Sequence, residues 1–261
     1  MDTIDRRSTT TDGAAPEAAL DPHGVHAERT PSFLLAKPEK RALQAIARRL
    51  PRWILPDDLT LLGILAALAI AAAYGLTNDS NVWLWVASGL LVVHWLGDSL
   101  DGTLARVRRI QRPRYGYYLD HLVDAGATVA IAIGLGLSPF MLLSVGMLLG
   151  VAYLILSINV YLESQALGRF SIGYGKVGPT EVRVLLIALN TALALGLDTR
   201  FHLLDTGLTA LDVAGVALAL GMLLMLAGRA WCSLRELAVA EPAAPRVWAT
   251  RPAAGSPTGG S

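Results

Sequence analysis

Apolar residues in this chain come in long unbroken runs, neither alternating nor confined to one helical stripe. Six such runs cover residues 59–76, 82–104, 117–137, 140–162, 182–197 and 208–228. Each is long enough, or nearly so, to cross a bilayer as a helix, which takes about 20 residues. The fifth is short, and its ends are the least defined. Leu and Ala dominate, and continuous apolarity argues against strands. Residues 37–56 follow a different pattern. Leu43, Ile46, Ala47, Leu50 and Trp53 recur at helical spacing opposite Lys40, Arg41, Arg48 and Arg52. This predicts an amphipathic helix lying along the membrane surface. Residues 1–36 are polar, residues 239–261 are rich in Pro, Ala and Gly, and both stretches are expected to be disordered tails. No internal repeat or composition break divides residues 57–238, which are expected to form one membrane domain. The expected fold class is an all-α integral membrane protein with six transmembrane helices preceded by an amphipathic interfacial helix.

Composition agrees with that pattern. The chain is 53% hydrophobic and only 16% charged, with a mean hydropathy of +0.47. A soluble domain carries about 25% charge. The single cysteine, Cys232, excludes an intrachain disulfide framework and a cysteine-based zinc cluster. The near-neutral net charge of +1 hides a one-sided distribution. Arg106, Arg108, Arg109, Arg112 and Arg114 fall between the second and third runs, and Arg169 and Lys176 between the fourth and fifth. The intervening connections hold almost no basic residues. The positive-inside rule therefore puts the basic connections and both termini on the cytoplasmic side. The inner (plasma) membrane of a bacterium is the expected location.

Four aspartates interrupt this apolar pattern. Asp98 and Asp101 lie near the end of the second run, and Asp120 and Asp124 lie at the start of the third. A carboxylate at the centre of a membrane helix costs about 2.5–3.5 kcal/mol on insertion scales. Spacings of three and four put each pair on one helical stripe. A short basic connection makes the two spans antiparallel neighbours in this reading, so all four carboxylates would converge. Clustered carboxylates repel one another, and a hard divalent cation removes the conflict. Four of them could hold two ions, an arrangement suited to displacement at phosphorus. Gly102 and Ala105 are small and leave room for a ligand, and Arg106 can neutralise phosphate. The competing structural reading is polar glue between helices. An ion-coupled transporter is the alternative from another functional class, and it predicts carboxylates at mid-membrane beside broken helices.

The pattern Asp98-x-x-Asp101-Gly102-x-x-Ala105-Arg106, followed by Gly116-x-x-x-Asp120-x-x-x-Asp124, resembles the motif of the CDP-alcohol phosphotransferases. The likeness in motif position and span number covers residues 38–236. One more residue separates Arg106 from Gly116 than is commonest in that family. The resemblance implies a six-helix membrane enzyme that displaces CMP from a CDP-linked substrate with a hydroxyl acceptor. It implies Asp98, Asp101, Asp120 and Asp124 as ligands of Mg²⁺ or Mn²⁺, two ions in all, with Asp124 also the catalytic base on the acceptor hydroxyl. Gly102, Ala105, Arg106 and Gly116 would form the nucleotide pocket. A homodimer is expected from the resemblance, and no nucleic-acid partner.

The acceptor is less legible. Arg112, Lys176, Glu181 and Arg183 are candidates for an acceptor or head-group site, although Glu181 also suits a helix start and Lys176 and Arg183 suit interfacial snorkelling. His94 lies one turn before Asp98, either behind the site or as a core histidine, and His121 is expected to be a bystander. The leading expectation is transfer of a phosphatidyl group from CDP-diacylglycerol to a small hydroxylated acceptor. The runner-up is a CDP-aminoalcohol phosphotransferase acting on diacylglycerol, suggested by the Thr180-Glu181-x-Arg183 region.

Overall fold

A computed structural model of the chain describes residues 36–167, 178–197 and 208–242. The described residues form seven helices: α1 (Ala36–Arg49), α2 (Pro56–Leu76), α3 (Trp83–Arg108), α4 (Pro113–Leu137), α5 (Leu143–Leu167), α6 (Pro179–Ala194) and α7 (Ala210–Ala240). The fold is all-helical. Five helices (α2, α3, α4, α5 and α7) are long and apolar enough to cross a membrane. The sixth expected span, α6, has 16 residues. At 1.5 Å per residue that is about 24 Å, less than the roughly 30 Å hydrocarbon core. Polar Thr180, Glu181 and Arg183 occupy its first turns and shorten its apolar part. Lys176, Arg169 and the two expected tails beyond residues 36 and 242 lie outside the described residues.

Local chemistry sets the helix starts. Pro56 and Pro179 stand at first helical positions, where a missing N–H costs nothing. The Asp58 carboxylate accepts the Leu55 N–H at 2.8 Å, and the Glu181 carboxylate accepts the Gly178 N–H at 3.0 Å. At α7, Thr209 Oγ1 accepts the Asp212 N–H (3.1 Å), and Asp212 Oδ2 accepts the Thr209 N–H (2.8 Å), a full capping box. The other Asp212 oxygen takes the Leu142 N–H at 2.7 Å, fixing the start of α7 beside the start of α5. Arg109 ends α3 in the left-handed conformation, φ 58° and ψ 37°.

Packing follows residue size. On α2, Ala66, Ala67, Ile70, Ala73 and Tyr74 are buried, whereas Leu61, Leu65 and Leu68 are exposed. Small residues face inward and let backbones approach, while leucines face outward, where lipid would meet them. Helix α2 packs against both α3 and α4; α4 continues to α5, and α5 to α7. Helices α1 and α6 both pack on α3. The α2–α3 crossing is the tightest contact near the aspartates. A Cβ on Gly97 would lie 2.7 Å from both Gly63 N and Leu59 O. The α2–α4 crossing is similar, since a Cβ on Gly134 would lie 2.4 Å from Ala71 Cα. Helices α3 and α4 were expected to be direct neighbours. Their carboxylates do meet at the site, while along their length each packs more closely on α2, through these glycines.

The surface helix α1 also departs from expectation. Leu43 and Ala47 are buried against Leu59, Leu100 and Leu104. Part of the predicted membrane-facing stripe is therefore spent on protein, leaving Ile46 and Trp53 exposed. Arg108 closes the α1–α2 connection by donating to the carbonyls of Leu50 (3.1 Å), Pro51 (2.7 Å) and Ile54. At the opposite end of α6, buried Asn190 accepts from Tyr74 Oη (3.2 Å) and approaches Ser88 Oγ (3.3 Å) with its amide nitrogen, joining α6 to α2 and α3.

Gly97→Ala should lower the thermal midpoint of the purified protein, by an overpacking cost of about 1–3 kcal/mol. Gly89→Ala is the control on the same helix, where an added Cβ meets nothing within 4 Å; it should leave the midpoint unchanged or raise it.

Candidate functional site

Carboxylate oxygens of Asp98, Asp120 and Asp124 lie within 4.8 Å of one another. One comes from α3 and two, four residues apart, from α4. All three side chains are half-buried. Oxygens bound to one hard cation at about 2.1–2.4 Å lie at most about 4.2–4.8 Å apart. The separation and the all-oxygen donor set therefore fit a Mg²⁺- or Mn²⁺-like ion.

Asp101 is oriented differently. Its Oδ2 accepts the Thr60 hydroxyl at 2.7 Å, and its Oδ1 takes the Gly102 N–H. It stands outside the three-carboxylate group yet lines the same small cavity. That cavity is bounded by Thr60 and Gly63 of α2, by His94, Asp98 and Asp101 of α3, and by Asp120 and Val123 of α4. Three helices build it, and α2 supplies its floor. His94 is 3% exposed, and its Nδ1 is buried with no hydrogen-bond partner. A buried, unpaired nitrogen costs about 1–3 kcal/mol.

Arg183 enters the site from α6. Its Nη2 donates to Asp98 Oδ2 at 2.7 Å, with the two side chains 14% and 23% exposed. This guanidinium offsets one of the three converging carboxylates. Glu181, two residues earlier, caps α6 through the Gly178 N–H. Arg112 pairs with exposed Asp57 at the start of α2 and lies 4.0 Å over the Tyr115 ring. That ion pair raises the already high pKa of Arg112, which keeps it cationic at the surface.

The residues expected around the nucleotide occupy two surfaces. The Arg106 guanidinium lies over Gly102, where an added Cβ would come within 3.3 Å of Nη1, and Nη2 donates to Thr103 at 3.0 Å. Ala105 is half-buried on the next turn, and its carbonyl accepts the Ile110 N–H at 3.0 Å. Gly116 is exposed at the start of α4, and a Cβ there would meet nothing within 4 Å. That face of α4 is open.

Some site residues were not singled out from sequence. Thr60 lies in an apolar run and gave no signal except its hydroxyl. Glu39 gave one faint signal, an acidic residue in a basic helix; its Oε1 accepts from both Trp95 Nε1 and Thr180 Oγ1, each at 2.9 Å. His121, expected as a bystander, stacks against Tyr117 (ring centroids 4.1 Å) and Tyr161 (4.5 Å), with Nδ1 3.6 Å from Asp120 Oδ2. It joins α4 to α5 beside the carboxylates.

Comparison with known proteins agrees with this arrangement. The chain is 29% identical over 191 residues to cholinephosphotransferase 1 of Gallus gallus, covering 66% of this chain and 54% of that protein. The match therefore spans about half the length of that relative. The family model for CDP-alcohol phosphatidyltransferase matches residues 53–228, which include all four aspartates and every helix from α2 to α6. The chain belongs to the CDP-alcohol phosphatidyltransferase family.

Proposed function

We propose that this chain is a membrane phosphotransferase of phospholipid synthesis that displaces CMP from a CDP-linked donor with a hydroxyl acceptor. The observation that carries the reading is the convergence of Asp98, Asp120 and Asp124 from two helices to within 4.8 Å. Asp98, Asp120 and Asp124 would hold the divalent cation, and Asp101 would complete a second position from the same cavity. When bound, the cations neutralise pyrophosphate charge and stabilise CMP as it leaves.

The chain's own groups supply the rest. Asp124, at the edge of the group toward α5, would take the proton of the acceptor hydroxyl as the new P–O bond forms. Arg106 would meet a phosphate of the nucleotide from the turn above Gly102. The open ground around Gly116 would admit the nucleotide. Arg183 would orient Asp98 and present positive charge to the group being transferred. Arg112, Lys176 and Glu181 would lie farther out, towards the acceptor or head group, and dimerisation remains part of the proposal.

The preferred reaction is phosphatidyl transfer from CDP-diacylglycerol to a small hydroxylated acceptor. A CDP-aminoalcohol reaction on diacylglycerol is the second reading, favoured by the likeness to a cholinephosphotransferase. Both would use one carboxylate centre. Coupled ion transport finds no support, because α3 and α4 run as unbroken helices through all four aspartates. The membrane face bearing Arg106, Arg112 and Arg114 is proposed to be cytoplasmic.

Purified protein should release CMP when CDP-diacylglycerol or CDP-choline is offered with a panel of acceptors. Release from only one donor identifies the branch, and release from neither rejects the reading. Chelation of divalent ions should abolish release, and added Mn²⁺ or Mg²⁺ should restore it. Asp101→Asn should lower turnover by roughly 100-fold or more without shifting the thermal midpoint. Asp124→Asn should lower kcat by about 10²–10⁴-fold while retaining CDP binding; equal loss of binding and turnover would make Asp124 a ligand alone.

A further inference from the structure

Helix α6 is short, and its main packing partner is α3. Its first turns make polar links to α3 and α1. One is direct, from Arg183 to Asp98. The other runs through a third helix. Glu39 on α1 accepts from Trp95 of α3 and Thr180 of α6 on a single carboxylate oxygen, each at 2.9 Å. Trp95 lies three residues before Asp98, and Thr180 lies three residues before Arg183. Each donor is thus about one helical turn from a member of the ion pair. Glu39 stands in the first turn of α1, where an acidic residue is favourable for the helix dipole alone. A residue serving only the dipole would face solvent. Glu39 instead spends its oxygen on two other helices, while Leu43 and Ala47, one and two turns further along α1, anchor the helix on Leu100 and Leu104.

We propose that Glu39 is a positioning residue: it ties the surface helix to α3 and α6 so that Arg183 is held against Asp98. The proposal rests on the phosphotransferase reading for its kinetic arm but not for its structural arm. Bonds to an ionised acceptor are stronger than neutral ones, so one carboxylate suits the joint. Losing it lets the start of α6 drift, and small displacements at a site of this kind cost rate more than binding.

The test uses the full chain in detergent or lipid discs. Glu39→Ala should lower kcat roughly tenfold and leave the KM for the CDP donor within about twofold. Glu39→Gln keeps an acceptor oxygen and should stay within about threefold of the parent. Thr180→Val, which removes one donor, should give an intermediate loss. In a double-mutant cycle, Glu39→Ala should cost little once Arg183→Ala is present, because both act through one contact. Hydrogen exchange supplies the arm independent of activity: amides of residues 180–186 should exchange faster in Glu39→Ala, while those of α5 and α7 stay as in the parent. Additive effects in the cycle, unaltered exchange at the start of α6, or a parental kcat in Glu39→Ala would each overturn the proposal. An unstable Glu39→Ala protein leaves the decision to Thr180→Val, where a parental kcat with unaltered exchange at residues 180–186 overturns it. Absence of CMP release from the unmodified chain would reject the phosphotransferase reading while leaving the exchange result to judge Glu39.

Discussion

Everything near the site answers to one constraint: acidic groups from two helices are held within a few ångströms of one another in a protein built to lie in lipid. Carboxylates so placed repel one another. The fold meets this with fixed compensation. Arg183 pairs with Asp98, Thr60 and the Gly102 amide bond Asp101, and His121 lies beside Asp120. The three converging oxygens lie close enough together to share one hard cation. Without such partners the same sequence would gain by letting α3 and α4 separate.

That geometry depends on α2, a helix with no ionised residue at the site. Gly63 and Gly97 bring α2 and α3 together backbone to backbone, and Gly134 does the same for α4 against Ala71. Both α3 and α4 pack on α2, and their carboxylates meet beside it. The cavity forms where their carboxylates reach past α2, with Thr60 and Gly63 as its floor. Small residues at these contacts let α2 pack closely on both helices, the familiar use of small residues at membrane helix contacts.

Helix α6 shows a second way to fix an element that lacks apolar length. One end is held by Asn190 between Tyr74 and Ser88, and the other by Arg183 on Asp98 and by Thr180 on Glu39. Directional polar contacts replace the extended packing that the longer helices obtain. Such contacts are directional, so the placement of α6 is sensitive to single atoms. The surface helix joins in because its apolar stripe is used against α3 rather than against lipid alone.

The sequence by itself determined the helical class, the run positions, and the aspartate spacing with its glycine and arginine companions. Those depend on local composition and on helical periodicity, which a linear chain carries in full. It could not say which side of each helix faces inward. Leucine toward lipid and alanine toward protein are both apolar, so α2 has no polar face to orient it. It also missed the turning of Asp101 towards Thr60 and the joint at Glu39, since those partners lie 41, 56 and 141 residues apart. Only tertiary structure decides contacts of that kind, because they follow from steric fit between helix surfaces, and steric fit has no signature along one chain.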